Sequence, residues 1–169
     1  MWSSDRLHLG VYGSALADMP ALSGCIHPLY GPNGVSAQLS QVEVAPIPDR
    51  VGHYLAEELK FQTDGSGPPP APRFRLNITT TESVGGLITN LRSLTSDAAS
   101  VTVTASYSLV EIAGGKEVAK GTATAAASYD RSQQRFANVR AARDAELRAA
   151  TVLADQIRTR VGIALLDYK

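Results

Sequence analysis

Few side chains in this sequence are placed to do chemistry, and one of them stands apart. Cys25 is the only cysteine among 169 residues, and it closes the stretch Leu22-Ser23-Gly24-Cys25. An aliphatic residue, two small ones and then cysteine is the order of a bacterial lipoprotein cleavage box. Ser23 and Gly24 let the chain lie flat in a peptidase cleft, and the Cys25 thiol can take a thioether-linked lipid. Each buried methylene of such a lipid is worth roughly 0.8 kcal/mol, and two or more chains give stable anchoring. A single thiol also excludes an internal disulfide and any cysteine-rich metal site.

The remaining candidates point away from catalysis. His8, His27 and His53 are scattered, without the HxxxH or HxH spacing that a metal requires. No GxSxG, P-loop or GxGxxG motif occurs, and no paired carboxylates stand out. The reading is of a protein that is not an enzyme, with no cofactor and no metal. Sixteen basic residues balance sixteen acidic ones, which leaves no polybasic handle for nucleic acid. Arg135, Arg140 and Arg143 nevertheless make one short stretch more basic than a neutral surface requires.

Residues 1–24 read as a degenerate signal and lipobox segment. Arg6 gives a thin positive start, Leu7 to Leu22 is weakly apolar, and Asp18 and Pro20 interrupt the core of the segment. Residues 25–40 read as a tether and residues 41–166 as a single α+β domain. Gln41 to Ile47 alternates polar and apolar residues and predicts a short strand. Asp49 is the natural N-cap of a helix with Val51, Tyr54, Leu55 and Leu59 on one face. Gly52 inside that helix implies close approach to another backbone. Asp64 to Pro72, rich in proline and glycine, predicts a stiff surface loop.

Phe74 to Glu82 alternates cleanly as a strand, broken at Gly85-Gly86, and Leu87 to Ala99 is ambiguous. Ser100 to Ile112 and Glu117 to Tyr129 predict a hairpin closed by Ala113-Gly114-Gly115-Lys116. Ala119, Gly121, Ala123, Ala125 and Ala127 give the return strand a nearly bare face against which a helix can lie close. The opposite face is hydroxyl-rich, with Thr79, Thr81, Thr102, Thr104, Ser106, Thr122 and Thr124. A last helix follows to about Leu166, with Asp130 and Gln133, or Ser132, as its cap. Leu147, Ala150, Ala154, Ile157, Val161 and Ala164 form its buried stripe. Arg140, Asp144 and Arg148 form an i,i+4 ladder on its outer face.

The predicted fold is therefore α+β: two helices on one face of a four-stranded, mostly antiparallel or mixed sheet, in the order β-α-β-β-β-α. Several short pieces, taken in order, resemble the LPS-assembly lipoprotein family (LptE), especially its alphaproteobacterial type. They are Gly24-Cys25 with Pro28-Leu29-Tyr30-Gly31, Asp49-Arg50-Val51-Gly52, Thr104 to Leu109, Ala126 to Tyr129, Phe136-Ala137, Ala142 to Ala145 and Ala154 to Arg160. The resemblance runs from about Leu22 to Leu165.

It implies lipidation at Cys25 and a place on the periplasmic face of the outer membrane of a Gram-negative bacterium. It further implies a plug role in the lipopolysaccharide-translocating β-barrel (LptD), and contact with lipopolysaccharide through basic residues. Arg92, Arg140 and Arg143 are the candidates for that contact, chosen from charge alone. Two other classes fit parts of the sequence: an accessory lipoprotein of a different lipid-transport complex, and a small hydrolase using Ser, His and Asp.

Overall fold

The computed structural model describes residues 35–63, 71–90 and 95–168, with backbone alone for 87–90 and 95–97. Cys25, Arg92 and most of the proline-rich stretch lie outside the described residues. The chain runs α1 (Val35–Leu39), β1 (Val42–Val44), α2 (Arg50–Thr63), β2 (Phe74–Asn90), β3 (Thr95–Glu111), β4 (Glu117–Asp130) and α3 (Arg135–Asp167). The sheet order is β1-β2-β3-β4, with β1 parallel to β2 and the other pairs antiparallel. All three helices lie on one face. The α+β class and the order β-α-β-β-β-α stand as predicted, with one short helix added at the front.

That added helix replaces the expected looseness of residues 35–40. Val35 and Leu39 stand one turn apart on one helical face and both are buried. Val35 sits where Gly162 has no side chain: a Cβ there would meet Val35 Cγ1 at 2.8 Å. Gly162 thus seats a neighbour inside α3, which continues to Asp167. Gly52 makes a comparable fit, but against the Ile47 side chain and Asp49 Oδ1, not against another backbone.

Asp49 caps α2 as expected. Its Oδ1 accepts the Gly52 N–H at 2.6 Å, and its backbone turns into the left-handed region at φ 78°. The predicted hairpin also forms, with Gly115 at φ 64° and its N–H donating to the Glu111 carbonyl. The β2–β3 hairpin is longer than the sequence suggested. β2 passes through Gly85-Gly86 to Asn90, with a pairing irregularity between Gly86 and Ile88, and β3 begins at Thr95. Side chains do not decide such a stretch; the partner strand's ladder carries it.

The core lies between the sheet and the helices. Val101, Val103, Ala105 and Leu109 of β3 are buried with Ala123, Ala125 and Ala127 of β4. Against this face α3 presents Ala145, Ala149, Ala150, Leu153, Ala154, Ile157, Val161 and Leu165. The bare β4 face does receive a helix, except at Gly121, whose open space holds the Tyr107 ring. Leu147 departs from the predicted stripe and is 45% exposed, while Ala164 is half-buried. Small alanines and Glu146 take the inward positions at that end of α3, so the larger Leu147 turns outward.

The start of α3 departs as well. The helix begins at Arg135 with Gln134 as N-cap and no side-chain cap, so the Asp130–Gln133 box does not form. Ser132 anchors the turn before it. Its Oγ accepts the Gln134 N–H, and Asn138 brackets its backbone through Oδ1 and Nδ2, both at 2.7 Å.

Candidate binding surface

Three features of this fold bear on function: an uncovered sheet face, a basic helical arm, and a charged junction between the helices and β2. The uncovered face follows from strand alternation, because the residues that do not point into the core must point outward. Pairing sets them in rows across three strands. Asn77, Ser108 and Lys120 form one row; Thr79, Ser106 and Thr122 the next; Thr81, Thr104 and Thr124 a third. All seven residues expected there are on this face and exposed or half-exposed. Thr104 Oγ1 and Thr124 Oγ1 share a hydrogen bond at 3.3 Å.

No described element lies over this face. The first two rows line a shallow depression of about 530 Å³. The surface offers hydroxyl donors and acceptors in a regular array, with Lys120 at its border paired to Glu117. Such an array can meet a polar wall. It has nothing to offer an apolar one.

The arm is the first part of α3. Residues 135–144 are all exposed or half-exposed, and the helix enters the core only at Ala145. From Arg131 to Arg143 the chain carries four arginines and no acid. None of the four has an ion pair among the described residues. Arg140 and Arg143 stand on one face with Phe136, which is 86% exposed, and Val139. The predicted ladder holds only in its second half: Arg148 Nε meets Asp144 Oδ2 at 2.9 Å, and Arg140 stays out of it. Arg92 belongs to the segment between β2 and β3, outside the described residues. His53 is exposed beside the Tyr54 ring. Among the described residues no group of His, Cys, Asp and Glu could hold a metal ion, and no helix is long and apolar enough to cross a membrane.

The junction was not anticipated from sequence. Glu146, on the inward face of α3, has a side chain only 3% exposed. Arg50, the first residue of α2, grips it with two hydrogen bonds, Nε to Oε2 at 2.7 Å and Nη2 to Oε1 at 2.6 Å. Such fork-to-fork pairing is the strong form of the contact, and it raises the Arg50 pKa further. Thr80 of β2 donates to Asp49 Oδ2 at 2.7 Å beside it. Partial desolvation first, then the nearby Glu146 and Asp49 charges, raise the pKa of the otherwise exposed Glu82 above the ordinary glutamate value, against the opposing pull of Arg50. The sequence signal was Glu146 standing in register with Ala149, Ala150 and Leu153.

With this geometry in hand, comparison decides the family. The model of the family described as LptE: Lipopolysaccharide-assembly matches residues 39–161. The chain belongs to the LptE family. That span runs from the end of α1 into the last turns of α3, the whole described fold apart from its two ends. Among curated proteins, none matches the sequence.

Solved structures share the fold. A candidate lipoprotein from Caulobacter crescentus CB15 is 24% identical, with a TM-score of 0.65 over 80% of this chain and 97% of its own. A minor lipoprotein from Acinetobacter baumannii is 18% identical, with a TM-score of 0.56 over 73% and 92%. At these identities the likeness shows the fold. The LptE membership itself makes this a lipopolysaccharide-assembly protein of the bacterial envelope.

Proposed function

We propose that this LptE-family protein is an outer-membrane lipoprotein that plugs the lumen of the lipopolysaccharide-translocating β-barrel (LptD) and helps deliver lipopolysaccharide to the cell surface. The observation that carries this reading is the uncovered, hydroxyl-lined sheet face. Barrel lumens are polar, and a plug must satisfy its hydrogen bonds against such a wall without an apolar patch.

Lipidation at Cys25 belongs to the same proposal. Val35 follows Cys25 by ten positions, a span of at most about 35 Å when extended. Val35 packs beside Gly162, whereas Phe136 lies 26 residues earlier on the same helix, about 39 Å away at 1.5 Å per residue. The basic arm therefore lies at the far end of α3 from the point where the tether enters. There Arg140 and Arg143 would meet lipopolysaccharide phosphates as the lipid passes, and Arg92 belongs to the same proposed contact set. Guanidinium groups suit that task because each donates two parallel hydrogen bonds.

Charge reversal tests the ligand half of the reading. Arg92→Glu combined with Arg140→Glu should weaken lipopolysaccharide binding in a salt-sensitive way and leave the melting curve and barrel recovery nearly unchanged. Unaltered lipopolysaccharide binding would reject the cluster. The plug half is tested by purification from native membranes in mild detergent, where the protein should bring a large β-barrel with it.

A further inference from the structure

The two edges of the sheet are treated differently. On β4 three of the carbonyls that face away from β3 are met by side chains from α3. Arg148 Nη2 donates to the Ser128 carbonyl at 2.9 Å, Gln156 Nε2 reaches the Thr124 carbonyl at 3.5 Å, and Arg160 Nη1 donates to the Thr122 carbonyl at 2.6 Å. Four residues of helix advance about 6 Å, and two residues of strand about 6.7 Å, so one helix can serve successive outward carbonyls of an antiparallel strand. This edge is closed to another strand.

The β2 edge is open. β1 pairs with it only from Phe74 to Leu76, and the last backbone bond of that pairing runs from the Ala45 N–H to the Leu76 carbonyl. Phe74 and Leu76 turn their backbone groups toward β1, so strand alternation turns those of Ile78, Thr80, Glu82 and Val84 the same way. Unbroken register with β3 as far as Gly86 keeps that phase. No described strand lies beside these four residues, and Thr81 to Gly86 are all exposed. An edge this long is ordinarily shortened, covered or guarded with positive charge.

Here the nearby charge is negative. Asp49, Glu82 and Glu146 gather on the helix side of this edge around Arg50.

We infer that the β2 edge from Ile78 to Val84 is a docking site for an extended segment of a partner protein, added as a fifth strand, with a basic side chain directed at Glu82. The inference deepens the plug reading and rests on it only for the source of that segment. A second copy of this chain is a poor occupant. Antiparallel pairing of two β2 edges about Thr81 would set Glu82 beside Thr80 and its bound Asp49 in the other copy, carboxylate against carboxylate. Main-chain hydrogen bonds would supply affinity and the alternate side chains specificity, as in strand addition generally.

Residue-resolved amide exchange on the full chain tests this. The probes are short acetylated peptides alternating lysine with valine, and matched peptides alternating glutamate with valine. The lysine peptide should slow the Thr80, Glu82 and Val84 amides by roughly tenfold or more, with Thr79, Thr81 and Ser83 already slow through β3. The glutamate peptide should not, and Glu82→Lys should remove the preference.

Val84→Pro deletes one outward donor and should weaken the effect while the Thr81 and Ser83 amides stay slow, which reports an intact hairpin. No alternating pattern with the lysine peptide, protection at the β4 edge in its place, or a dimer of the free chain paired through β2 would overturn the inference. The peptide arm needs no barrel, so its result stands whether or not the plug reading does. A recovered barrel complex in which Thr80, Glu82 and Val84 still exchange fast would reject the edge and leave the plug.

Discussion

Glu146 and Arg50 show how one residue pair ties three elements together. The carboxylate is almost wholly out of water while Arg50 keeps 53% of its side chain exposed. Removing the arginine leaves a buried charge without its partner, a loss of roughly 3–5 kcal/mol in fully buried pairs. Exposure of Arg50 reduces that figure, so Arg50→Ala should destabilise the fold by about 2–3 kcal/mol in denaturant melts. Adding Glu146→Gln should recover part of the loss. If the double variant is no more stable than Arg50→Ala, the buried charge is not the cause.

Glu82 makes the opposite prediction. Glu82 is exposed, and its folded-state pKa is raised chiefly by partial desolvation of the carboxylate beside Glu146 and Asp49, so its favourable contribution is fully present only below the unfolded value of about 4.3. That contribution is lost as pH rises through the folded value. Glu82→Gln should therefore be neutral at about pH 3.5 and stabilising at pH 7. An equal change at both would show that the side chain acts through its shape.

At the scale of elements, the contact between α3 and β4 is set by alanine. Ala123 and Ala125 are 1% and 6% exposed, and the facing positions of α3 are small as well. Ala123→Leu or Ala125→Leu should overpack this seam and cost about 1–3 kcal/mol. Thr102→Val, on the uncovered face, should cost much less. Neutral alanine variants in thermal or denaturant melts would contradict the packing described.

This seam was legible in the sequence because period-two alternation in β4 and the alanine steps of α3 are both local signals. The hydroxyl face was legible for the same reason. What was not legible depended on partners distant in the chain. α1 forms because Gly162 leaves room for Val35, and β2 continues through Gly85-Gly86 because β3 lies alongside. Leu147 turns outward because Ala145, Glu146 and Ala149 occupy the inward positions. The capping of β4 by Arg148, Gln156 and Arg160 likewise exists only once helix and strand are side by side.

At the scale of the molecule, the two ends divide the work proposed for it. The tether enters near the C-terminal half of α3, and the basic arm with Phe136 lies at the other end. If Cys25 carries the anchor, protein extracted from its native membranes should yield an N-terminal peptide bearing diacylglycerol and an acyl chain in mass spectrometry. An unmodified Met1 on protein that still works in the outer membrane would contradict the anchor.

The central claim is that the uncovered hydroxyl face meets the polar lumen of a barrel. Its most direct test is photocrosslinking in living cells from a reactive residue placed at Thr104, on β3, the middle strand of the three that form that face. The account predicts an adduct with a large outer-membrane β-barrel, lost when the same group is placed at the buried Leu153. No barrel adduct from Thr104, in protein shown to be folded and in the outer membrane, would contradict it.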